Sequence, residues 1–190
     1  MKNRTLPLLL ALTLCLGLAA PAAAAGGSSP GLRDSGSASV DKLSREEIVQ
    51  LLEDNPLTLP DEVFEEAPSC TAPYAAGTVK PEVLQAATDR LNALRQIAGL
   101  PAVRLDLELS AQAQYGAVIQ GALGTLNHYP SKPAGMDDSF YQAAKSASSS
   151  SNLSAGRTLT GAVDGFMNDS DASNIDRVGH RRWQIGRAHV

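Results

Sequence analysis

Between Pro81 and Gly99 apolar residues return every three or four positions: Val83, Ala87, Leu91, Leu94 and Ala98 form one stripe, and Glu82, Gln85, Asp89, Asn92 and Gln96 the opposite one. A period near 3.6 fits an amphipathic helix and excludes a strand, so the core of this chain is to be built from helix faces. Pro81 suits a first helical turn, and Gly99 with Pro101 ends the element. No segment before Gly179 alternates as a strand does, and the visible sequence is helix-dominated.

Four further helices can be read. Ser44-Arg45-Glu46-Glu47 has the form of a capping box leading into Ile48, Val49, Leu51 and Leu52, with Asn55-Pro56 as the stop. Asp106 can cap a helix running to about Ala122, on which Ala111, Ala113, Gly116, Ala117 and Gly121 leave room for a close neighbour, and Gly124 closes it. Asp137 or Asp138 can cap a short helix over Phe140 to Lys145, after which Ser146 to Ser151 reads as a polar loop. A last helix spans Leu159 to Met167. Pro60, Pro68 and Pro73 forbid long regular elements between Pro56 and Gly77, which reads as a strap over the domain.

The first 25 residues follow another logic. Lys2 and Arg4 precede an apolar run from Leu6 to Leu18, and small residues around Ala23 to Ala25 offer cleavage sites, the pattern of a secretory signal peptide. The run is too short for a membrane span. Residues 26–41 are dominated by Gly and Ser and read as a flexible tether. Cleavage removes Cys15 and leaves Cys70 as an odd thiol with no metal-spaced or nucleophile context around it.

Composition excludes more than it proposes. With 16 Lys+Arg against 20 Asp+Glu the formal net charge is -4, and aromatic residues make up 4% of the chain. Neither bulk positive charge nor stacking platforms are present, so no nucleic-acid partner is expected. His128 in Leu-Asn-His-Tyr-Pro and His180 in Val-Gly-His-Arg-Arg-Trp both follow predicted element ends, where side chains can converge on a cleft. The acid-rich stretch beginning at Asp169 lacks the turn glycine and closing glutamate of a calcium loop.

From Thr78 onward the residues resemble the CAP superfamily of cysteine-rich secretory proteins, antigen 5 and pathogenesis-related proteins, in particular its secreted bacterial members. The pieces are Leu91-Asn92-Ala93-Leu94-Arg95, then Leu109, Ala113-Gln114 and Ala117, then His128, Ser151-Asn152-Leu153 and Gly179-His180-Arg181-Arg182-Trp183, in one order. The resemblance implies an α+β fold, a three-layer α-β-α sandwich whose central cleft is lined by two histidines and two acidic residues. Carried over by position, these are His128, His180 and Asp169, while Ser151 stands where the second acid usually precedes Asn-Leu. Two imidazoles and one carboxylate are a donor set for zinc with an open fourth position. Asn92 and Arg95 are expected to be structural, and Arg181 and Arg182 to pair with Asp169, Asp171 or Asp176.

The same resemblance implies a strand carrying His180 and further strands beyond it, and Gln184 to Val190 reads like the translation of a sequencing-library adapter. Residues 78–183 are therefore expected to be an incomplete CAP domain behind a helix and strap at 42–77, with its final strands missing and 184–190 a non-native tail. The preferred reading is an exported monomer that binds an extracellular or cell-envelope ligand without turning it over. The alternative is a metal-dependent hydrolase of peptides or esters using the same cleft.

Overall fold

The computed structural model describes residues 42–172 and 174–186. The expected signal peptide and tether, and the last four residues of the expected tail, lie outside the described residues. Those described form six helices and one two-stranded ribbon: α1 Arg45–Asp54, β1 Phe64–Glu66, β2 Thr78–Val79, α2 Pro81–Ile97, α3 Leu107–Leu123, α4 Asp138–Ser149, α5 Leu159–Asn168 and α6 Gly179–Ile185.

Local chemistry accounts for most of the helix ends. Ser44 Oγ accepts from the Glu47 amide at 3.2 Å while Glu47 Oε2 accepts from the Ser44 amide at 2.7 Å, the expected capping box. Asp106, Asp137 and Thr158 cap α3, α4 and α5 through their side-chain oxygens. Gly124 ends α3 in the left-handed region at φ 64°.

Packing produces two separate apolar clusters. Val83, Leu84, Ala87 and Leu91 of α2 meet Leu159 and Val163 of α5, with Val79 and Val103 beside them and Leu59, Val63 and Phe64 of the strap covering the edge. Ile119 of α3, Ala144 of α4 and Met136 from the segment before α4 form the second cluster, ringed by Tyr74, Tyr115, Leu123, Phe140 and Tyr141. Small residues line the α3–α4 approach: Ala113, Gly116 and Ala117 of α3 and Ala144 and Ala147 of α4 are buried, whereas Ala111, expected with them, is exposed and Gly121 partly buried.

A guanidinium ties the first cluster together. Arg90, 7% exposed, donates from Nε and Nη2 to both carboxylate oxygens of Asp164 on α5 at 2.7 Å, and from Nη1 to the carbonyls of Leu52 and Asn55 at the end of α1. One side chain therefore fixes three helices through charge-assisted bonds.

Three expectations are corrected. Ser146 to Ser149 belong to α4 and not to a loop. The hydroxyls of Ser148 and Ser149 donate to the carbonyls of Ala144 and Ser146, so these serines support the last turn from within. Strand pairing does occur before Gly179: β1 and β2 pair antiparallel, with a further bridge between Ser69 and Ala75. These segments are two and three residues long, too short for alternation to register. His180 sits on α6 and not on a strand. Among the described residues no wider sheet accompanies the helices, so the three-layer sandwich is seen only as helical layers and this ribbon. The ribbon depends on Gly77, at φ +66°, where an added Cβ would lie 2.5 Å from the Glu66 carbonyl oxygen.

Truncating Asp164 to Ala is expected to cost about 2–3 kcal/mol in urea unfolding, short of the cost for a fully buried pair because Asp164 keeps part of its surface in water. The double variant Arg90→Met, Asp164→Leu is expected to recover part of that loss. Gln184 is 3% exposed and neither amide atom of its side chain has a hydrogen-bond partner. Gln184→Leu removes a buried unsatisfied amide at similar volume and is expected to stabilise the chain by about 1 kcal/mol, read as a higher urea midpoint at unchanged slope.

Candidate functional site

A cleft of about 960 Å³ separates the two helical layers, and both histidines lie on its wall. Leu109, His128 and Ser149 to Asn152 come from the α3–α4 side, and Phe166, Asn174, Arg177, His180, Arg182, Trp183 and Gln184 from the α5–α6 side.

His128 is placed by a polar network inside the α3–α4 interface. Gln120, 2% exposed, clamps the Asn127 backbone: its Oε1 accepts from the Asn127 amide at 2.7 Å, and its Nε2 donates to the Asn127 carbonyl and to Ser148 Oγ, both at 2.9 Å. The next residue, His128, has Nδ1 2.8 Å from the Ser148 carbonyl oxygen. A carbonyl only accepts, so Nδ1 carries the hydrogen and Nε2 is the nitrogen left for the cleft. Sequence reasoning passed over Gln120, although the signal was present: it follows Gly116 and Ala117 by four and three residues and shares their small-residue face.

His180 is placed by the end of α5. Asp169 follows the helix in the left-handed conformation at φ 46°, which a short polar side chain tolerates. Its Oδ1 lies 2.8 Å from His180 Nδ1 and its Oδ2 accepts from the Arg181 amide at 3.2 Å. The Asn174 side-chain amide also touches Nδ1, at 2.6 Å, and Asn152 donates to the His180 carbonyl at 3.3 Å. Phe166 backs the imidazole at a ring separation of 5.1 Å. Val178, also left-handed at φ 44°, turns the chain from the acidic loop into α6; a β-branched residue pays strain there, so the turn is held by its surroundings.

Burial works to raise the Asp169 pKa, but the hydrogen bonds from His180 and the Arg181 amide, with the charge of His180, outweigh it and hold the carboxyl below its ordinary value. The carboxylate is therefore ionised and its hydrogen-bonding atoms are engaged within the protein.

These contacts decide how the expected donor set can act. Asp169 is 2% exposed and orients His180 from behind, the role an outer carboxylate takes toward an imidazole. Ser151 donates its hydroxyl to the Ala147 carbonyl at 2.7 Å. Among the described residues no group of three or more His, Cys, Asp or Glu is arranged to hold a metal ion. Even as neutral rings, His128 and His180 would offer one nitrogen each, two of the four donors of a zinc site, so the trio His128, Asp169 and His180 does not fit zinc as a ligand set.

The remaining motif residues divide as their chemistry allows. Asn92 bonds the Val103 backbone in both directions, and Arg95 donates to the carbonyls of Pro101 and Gln184, both structural as expected. Burial lowers the Arg95 pKa, which still leaves a guanidinium charged. The Arg181 side chain does not pair with an acid: it donates to the carbonyls of Met167 and Asn168, capping the end of α5 where carbonyls are unpaired. Cys70 is a free, half-buried thiol whose pKa burial raises, away from a reactive thiolate.

Asp169→Asn is expected to release the His180 tautomer. Nitrogen-15 spectra should show both rings protonated at Nδ1 in the parent chain and only His180 shifted toward the Nε2-protonated form in the variant. The depressed Asp169 pKa also sets a pH window: its contribution is complete above the ordinary value of 3.8 and is lost as pH falls through the lower folded value. Acid unfolding should therefore be shallower for Asp169→Asn.

Comparison with known proteins shows the family of the chain. No curated protein and no solved structure matches the chain. The family model described as "Cysteine-rich secretory protein family" matches residues 88–188, a span that holds α2 from its second turn, α3, both histidines and α6. That span is more than half of the chain, and the protein belongs to the CAP family.

Proposed function

We propose that this CAP-domain protein is exported and acts as a monomeric, non-enzymatic binding protein that holds an extracellular or cell-envelope ligand in the cleft between its helical layers. One observation carries the reading: three serine hydroxyls and both histidines of the cleft wall are held by the protein's own groups. The hydroxyls of Ser149, Ser150 and Ser151 donate to helix carbonyls, and the two histidines are oriented by a carbonyl and a carboxylate. The metal-dependent hydrolase reading needs a third protein ligand that the engaged Asp169 does not supply.

Export follows from the residues themselves, with Lys2 and Arg4, the apolar run to Leu18 and the small residues at Ala23 to Ala25 forming a signal peptide. No helix of the described residues is long and apolar enough to cross a membrane.

Two measurements test the proposal. Mass spectrometry of the exported chain should find a new N-terminus close to Gly26, and retention of residues 1–25 would sink the export reading. Incubated with peptide and ester substrates, with and without added zinc, the purified chain should show no turnover. Hydrolysis that disappears in both His128→Ala and His180→Ala would replace this reading with the enzyme.

A further inference from the structure

Each helical layer is packed within itself. The α3 helix lies on α4, while α2 lies on α1, α5 and α6, and α5 on α6; every extensive helix–helix contact among the described residues falls inside one layer. The apolar clusters divide in the same way and share no residue, with Val83, Leu91 and Val163 in one and Ile119 and Ala144 in the other. The cleft takes one wall from each layer.

The ribbon reaches across this division. Its base belongs to the first layer: Val79 is buried in the α2–α5 cluster, Val63 and Phe64 pack against it, and the Lys80 amide donates to the Val63 carbonyl at 3.0 Å. Its tip belongs to the second. Within the loop closed by the Ser69–Ala75 bridge, Tyr74 packs on the α3–α4 cluster, with its ring 6.3 Å from that of Phe140, and donates its hydroxyl to the Ala134 carbonyl at 3.1 Å. Ala72 is a neighbour of Gly135 at the same place, where an added Cβ would lie 3.5 Å from the Ala72 Cβ. Another tie crosses the cleft: the side-chain amide of Asn152, just after α4, donates to the His180 carbonyl of α6 at 3.3 Å.

The covalent connections between the layers change owner at defined points. Leu105 still packs on the first cluster and Asp106 already caps α3. On the way back from α4 to α5, Gly156 has φ +71° and nothing within 4 Å of the place a Cβ would take. A left-handed glycine in open space changes its dihedrals at little steric cost, and hinges are built from a few residues at the ends of elements.

We infer that the ribbon is a clasp: the two layers swing about Asp106 and Gly156 to open and close the cleft, and the Tyr74 contact and the Asn152–His180 bond hold it closed. The clasp works whatever the cleft holds. A molecule that touches both walls binds the closed arrangement better and shifts the population toward it.

Opening is read as energy transfer across the cleft in the full chain. Trp183, the one tryptophan, stands on the α6 wall and is 79% exposed, and Tyr129, 76% exposed, follows His128 of the opposite wall. A fluorescent acceptor is attached at Tyr129→Cys in a background of Cys15→Ser and Cys70→Ala. Tyr74→Ala and Asn152→Ala are each expected to lower the transfer and broaden its distribution of lifetimes, and together to lower it further. Tyr74→Phe and Asn152→Ser remove the same hydrogen bonds with less change of volume, and their smaller loss of transfer is read where an alanine variant fails to fold. Val163→Ala weakens the first core and removes neither tie, so it should lower the urea midpoint and leave the transfer unchanged. Transfer that stays the same in the folded Tyr74→Ala, Asn152→Ala chain, or in the Tyr74→Phe, Asn152→Ser chain where the first does not fold, overturns the clasp. A loss in Val163→Ala equal to that in Tyr74→Ala overturns it too, because the layers would then part through lost stability alone.

Discussion

The placement of the site starts from Arg90. Its guanidinium holds Asp164 bidentately and the end of α1 at the same time, which fixes α5 along α2. Five residues further on, α5 ends in Asp169, and the Asp169 carboxylate in turn sets the ring of His180. A charged pair near a helix crossing therefore determines, through one rigid element, where an imidazole stands in the cleft. Apolar packing of α2 on α5 alone would leave α5 free to slide along the row formed by Leu159 and Val163.

The opposite wall is built by a different device. Gln120 sits among buried apolar residues of α3 and would be costly there without partners. Its amide instead clamps Asn127 and Ser148, and so presents His128 from the α3–α4 layer. The two histidines are thus supported by separate layers with separate cores. Their mutual distance is a property of how the layers sit together, while the orientation of each ring is a property of its own layer.

Much of this frame was legible in the residues. Helices with strong caps and periodic faces could be read almost to their ends, because Ser44, Asp106, Asp137 and Gly124 act within three or four residues. His128, His180 and Asp169 were found through the order of short motifs, and Asp169 and His180 do meet. Their division of labour was not readable, since it turns on which atoms of a carboxylate are already engaged, and Arg181 and Oδ2 settle that only in three dimensions. The α2 stripe was also incomplete: Thr88, Arg90 and Arg95 are buried and Ala98 is exposed. Polar side chains enter a core when carbonyls or a carboxylate on another element await them, and those partners are distant in sequence.

Two cores also imply two folding units. The α3 and α4 helices are consecutive, and their cluster of Ile119, Met136 and Ala144 closes over one connecting segment. The α2 cluster must wait for α5, which lies beyond that whole hairpin in the chain. Local contacts form before distant ones because the loop to be closed is shorter. The α3–α4 hairpin is then the element around which the chain organises, with the Gln120 clamp assembled early. The Arg90–Asp164 pair spans 74 residues of chain, so it closes the longest of these loops and joins the two units last.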